Sequence, residues 1–65
     1  MSREVNRVDY GDTPKGHVLL ITRVSQDDSG EAEIRSYMVR QGGHTLAETA
    51  DKPVAEALAK ALARA

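Results

Sequence analysis

Cysteine, phenylalanine and tryptophan are all absent from this chain, and two tyrosines are its only aromatic residues. Without cysteine there is no disulfide framework and no thiolate metal site, and a cytoplasmic setting is the natural expectation. Without Phe or Trp the core must be aliphatic. At 65 residues such a chain buries only about 60% of the surface its unfolded form exposes, so self-association is the expected reinforcement. Long apolar runs are missing too: Val18 to Ile21 is four residues, far short of a signal-peptide core or a membrane span, so no membrane association is expected. Charge of one sign is also lacking. Nine Lys and Arg face ten Asp and Glu for a net charge of −1, and no basic block announces a polyanion-binding surface.

What is present sorts into elements. From Pro53 to Ala65, Val54, Leu58 and Leu62 recur at helical spacing, with Glu56, Lys60 and Arg64 on the opposite side. That stripe predicts a C-terminal helix over 52–65, with Asp51 as its N-cap and Pro53 in its first turn. Leu58 stands at the centre of the stripe, while the row Ala55, Ala59, Ala63 leaves room for another backbone to come close. Upstream, His17 to Val24 is rich in β-branched and aliphatic residues and reads as a strand. Ser25 to Gly30 is a turn, and Glu31 to Arg40 alternates with the period of a second strand. Gln41, Gly42 and Gly43 make another turn, after which 44–50 reads as a third strand. Thr45 and Glu48 offer a capping box that would instead start a helix at Leu46. For the first sixteen residues, Val5 and Val8, three apart, suit a helical turn beginning after Ser2, and the alternatives are an N-terminal arm or an edge strand over Glu4 to Tyr10, with Gly11 to Gly16 a loop in each case.

The expected architecture is therefore one small α+β domain over 1–65: an arm or edge strand at 1–16, an antiparallel β-meander of three or four strands including 17–50, and a helix at 52–65 packed against it. Both faces of the central hairpin are apolar at its middle. Val18, Leu20 and Val24 oppose Leu19 and Ile21, and Ile34 and Met38 oppose Tyr37 and Val39. One helix covers one face, which leaves the other to residues 1–16 or to a second molecule, and a homodimer is the expected solution.

Catalytic and ligand-binding patterns are missing. His17 and His44 have no HxxH or HExxH spacing, and the acids Asp27, Asp28, Glu31 and Glu33 lack the alternation of a calcium loop. No serine has a GxSxG context, and Gly42 and Gly43 belong to no GxGxxG or Walker pattern. The expectation is a protein without cofactor, metal or catalysis. The residues best suited to a partner are Arg35, Tyr37 and Val39, which share one face of a strand, together with Arg40, because Tyr and Arg are the residue types that most often dominate interfaces. They suggest a non-enzymatic protein-binding module. By size and class it is similar to small phage- or bacterium-encoded inhibitors and regulators that act by occupying a protein surface. The alternative is a single-stranded nucleic-acid-binding domain in which Arg35, Tyr37 and Arg40 contact bases and phosphates.

The order of a meander followed by one C-terminal helix, with Glu33 to Tyr37 in a strand, resembles the dimeric coactivator-type single-stranded-DNA-binding domains over 17–65. The chain lacks the aromatic and basic residues of that family's binding strands. The resemblance is one of architecture and carries over no functional residue.

Overall fold

The computed structural model describes residues 2–65. Four antiparallel strands, β1 (Ser2–Thr13), β2 (Gly16–Gln26), β3 (Glu33–Gln41) and β4 (His44–Thr49), pair in sequence order, and the helix α1 (Lys52–Arg64) packs across one face of their sheet. This is the α+β meander that the alternating pattern predicts. Its N-terminal residues resolve as the edge strand. They pair along β2, with Val8 opposite Leu20 and Arg7 opposite Ile21, so they extend the sheet and leave its second face uncovered. The loop expected at Gly11 to Gly16 contracts to a two-residue connection, because Gly11 at φ 107° lets β1 bulge past Asp9 and resume pairing at Asp12. Residues 44–49 are strand, and the capping-box helix does not form: the Gly42–Gly43 turn, with φ of 59° and 84°, returns the chain alongside β3.

Cross-strand partners share a face. Val18, Leu20 and Val39 are buried together with Ala55 and Ala59, and Tyr10, Tyr37, Leu58 and Leu62 close the margins. The helix therefore sits on its alanine row. Ala59 is 0% exposed and Val54 is 55% exposed, so the burial line is rotated from the Val54, Leu58, Leu62 stripe that the sequence suggests. The reason is steric. A small side chain lets the helix axis approach a sheet whose own face is already filled with Val and Leu, and Leu58 and Leu62 then wedge in from the side. Val54 lies about 100° around the helix from Ala55 and about 80° from Leu62, at the rim of the buried arc. Asp51 occupies the N-cap position without a side-chain capping bond; its amide is engaged instead as a donor to the Thr49 hydroxyl at 3.1 Å.

At one end of the sheet the two tight turns meet. The Gly42 N–H donates to the His17 carbonyl at 3.2 Å, and a Cβ on either Gly16 or Gly42 would collide with the backbone of the other turn. Thr13 joins the same knot, its hydroxyl donating to the Gly16 carbonyl at 2.7 Å and accepting from the Gln41 amide at 3.0 Å.

At the other end, the β2–β3 connection is organised by Asp27. Its carboxylate accepts from the Ser29 hydroxyl at 2.7 Å. That bond, with smaller help from backbone N–H groups of the loop, holds its pKa below the ordinary 3.8. A depressed folded pKa means that the ionised form steadies the tip above the unfolded value and that this support is lost as pH falls through the folded one. In an NMR pH titration the amides of Gly30, Glu31 and Ala32 should shift together at a midpoint below 3.8. A midpoint at or above that value would show that the tip is not built on this carboxylate.

Candidate interaction surface

Arg35, Tyr37 and Val39 do share one face of β3, and it is the face beneath the helix. Val39 is 0% exposed, and Tyr37 packs against the core margin. Arg35 is exposed beside Val24, and Arg40 points to the other face, opposite Leu19. The four residues therefore do not form one surface. The physical reason is that the pleat turns the odd-numbered side chains of β3 toward the helix, where Val39 is buried and Tyr37 half-buried, and turns Arg40 to the opposite face.

The face without a helix holds the more informative constellation. Across the middle of the sheet Arg7 pairs with Ile21, Ile21 with Met38, and Met38 with Glu48, a row that runs from a cation at the β1 edge through two apolar side chains to an anion at the β4 edge. One step toward the β2–β3 loop lie Glu4, Arg23 and Ser36, and one step the other way Asp9, Leu19 and Arg40. Ile21 is 1% exposed although no helix lies above it and it stands outside the helix-side cluster. Its cover comes from its neighbours on the same face, where the aliphatic stems of arginine can lie over apolar surface. Residues 1–16 are not needed as a lid.

Electrostatics tie this face together. Arg7 grips Glu4 with two bonds, Nη2 to Oε1 at 2.8 Å and Nε to Oε2 at 3.1 Å. That grip lowers the pKa of Glu4, with smaller contributions from the charges of Arg23 and Arg40, and it raises that of Arg7. Arg23 donates to the Ser2 hydroxyl at 3.0 Å, and Arg40 donates from Nη2 to the Gly43 carbonyl at 3.1 Å while its buried Nε has no acceptor among the described residues. Glu48 accepts only a long bond from the Ser36 hydroxyl, at 3.4 Å. Among the described residues, neither Arg23 nor Arg40 has a carboxylate within salt-bridge distance.

His17 is the residue whose surroundings the sequence conceals. Its Nδ1 lies 3.2 Å from Asp9 and its Nε2 3.8 Å from Asp12, because the β1 bulge sets Asp12 opposite His17 on the face that Asp9, opposite Leu19, already occupies. The spacing of Asp9 and Asp12 would have revealed this only with the bulge already known. Asp9 is held below its ordinary pKa first by the Gly11 N–H and then by His17. All three side chains are more than half exposed, and among the described residues no group of three or more His, Cys, Asp or Glu side chains is placed to hold a metal. His44 is exposed at the start of β4. The concavities are shallow surface features. One of about 200 Å³ lies among Ser2, Arg3, Val24, Ser25, Gln26 and Glu33, and another of about 160 Å³ lies between the helix end and the first turn. No helix is long and apolar enough to cross a membrane.

No protein-family model matches the chain, and no match to it was found among the curated proteins or the solved structures.

Proposed function

We propose that this chain is a non-enzymatic protein-binding module, acting as a homodimer or as a small inhibitor or regulator that occupies the surface of another protein. A cytoplasmic setting, which its cysteine-free composition suits, completes the reading. The observation that carries it is the helix-free face of the sheet: the half-buried Leu19 and Met38 flank the covered Ile21 and are ringed by Glu4, Arg7, Arg23, Arg40 and Glu48. An apolar centre inside a charged rim is the anatomy of a protein interface. Single-stranded nucleic acid is the weaker reading, because Tyr10 and Tyr37 both pack at the core margin and leave this face without an aromatic ring on which a base can stack.

The test is affinity capture from the host of origin, comparing the wild type with Arg23→Glu/Met38→Glu on this face and Lys60→Ala on the outer side of the helix. A defined protein retained by wild type and Lys60→Ala but lost from the double variant, with circular dichroism unchanged, is the expected result. Equal capture by all three would place the binding surface elsewhere. Binding to an oligothymidine with an affinity that falls steeply in salt would favour the nucleic-acid reading instead.

A further inference from the structure

We infer that the helix-free face docks a second copy of this chain, sheet on sheet, about a two-fold axis running parallel to the strands. This rests on the protein-binding reading above and names the partner. The reason lies in the order of the central row, Arg7, Ile21, Met38, Glu48. Two identical faces can be stacked about a two-fold axis in two simple ways. With the axis across the strands, β1 lies over β1 and β4 over β4, so Arg7 meets Arg7 or, with the axis displaced along the strands, the Glu4 that already holds it, while Glu48 meets only β4, which carries no Lys or Arg. With the axis along the strands, β1 of one copy lies over β4 of the other. Arg7 then meets Glu48 at both edges, and at the centre the half-buried Met38 lies over the side chains that cover Ile21. Only the second arrangement gives Glu48 a cation, and the two-fold axis repeats that pair at the other edge.

The local chemistry leaves the required groups available. Glu4 engages Nε and Nη2 of Arg7, so that Nη1 has no partner among the described residues, and the Glu48 carboxylate accepts only the long bond from Ser36. Packed sheets stand about 10 Å apart with their strands within about 30° of parallel, a gap that an arginine and a glutamate reaching toward each other can span. The bulges in β1 and β4 interrupt both edge strands, which disfavours edge-to-edge pairing as the route to a dimer.

Charge reversal reads the arrangement directly, since the two-fold axis makes every substitution act at both edges. Sedimentation equilibrium of the wild type should give twice the 7.1 kDa chain mass at micromolar concentration. Arg7→Glu and Glu48→Arg should each weaken the dimer by the order of tenfold or more, and the double swap Arg7→Glu/Glu48→Arg should return it to within a few-fold of wild type. Circular dichroism of all three variants checks that the fold is kept. A wild type that remains monomeric up to about 100 μM, a dimer indifferent to both single reversals, or a double swap no better than the singles would each overturn the inference. None of those results touches the capture experiment, so a monomer that still loses its host partner on Arg23→Glu/Met38→Glu would remove the second copy while leaving the protein-binding reading in place.

Discussion

Gly42→Ala should, with Gly16→Ala, be among the most damaging single-methyl changes in this protein, with a loss of about 3 kcal/mol or more. Two costs add. At φ 59° an L-residue pays about 1 kcal/mol for the left-handed conformation, and here the new Cβ would also run into the Lys15 carbonyl of the neighbouring turn, a backbone atom that cannot swing aside. Gly43→Ala is the matched control. It has positive φ as well, at 84°, but open space around its Cβ, so it should lose only the conformational part, about 1 kcal/mol. For a chain of this size that is roughly 4–8 °C of melting temperature for Gly43→Ala and well over 10 °C for Gly42→Ala. Thermal melts giving the two variants equal midpoints would mean that the β1–β2 and β3–β4 turns do not touch.

The second large effect is expected at Ala59. Enlarging it to leucine inserts a branched side chain where the helix rests directly on Val18, Leu20 and Val39, and overpacking of that kind costs about 1–3 kcal/mol and sometimes more. Leu58→Ala, by contrast, removes a side chain that is only partly buried at the margin of the same cluster. It should lose about 1–2 kcal/mol, at or below the low end of the range for fully buried leucines. Melts of the two variants rank them. If Leu58→Ala proves the worse and Ala59→Leu is tolerated, the helix packs on its Val54, Leu58, Leu62 stripe and its observed rotation is wrong.

The helix shows how far a periodic pattern carries. Spacing at 3.6 residues predicts its extent and that one side is covered, since propensity and amphipathicity are local properties. Which apolar arc faces the sheet is decided by fit between two surfaces. Alanine at 55 and 59 permits an approach that Val54 would block, and hydrophobicity alone ranks those residues the other way. The same limit applies to the partner-binding candidates. Alternation in β3 puts Arg35, Tyr37 and Val39 on one side of the strand, but a period of two has no preference for which side the helix takes. Arg40 fell on the remaining side by parity.

The sequence alone was enough for the α+β class, the central hairpin of 17–24 and 31–40, the Gln41–Gly43 turn, the aliphatic core and the C-terminal helix, because each follows from neighbours within a few residues. It left residues 1–16 open between helical turn, arm and edge strand, and in the structure Ser2–Thr13 form β1, whose pairing depends on β2, in place of a helical turn. Only the tertiary structure decided that Gly16 and Gly42 touch, that His17 stands between Asp9 and Asp12, and that Arg7, Ile21, Met38 and Glu48 line up across four strands. Those relations join residues up to 41 positions apart through strand register, and register is set by bulges, turn lengths and packing acting together over the whole sheet.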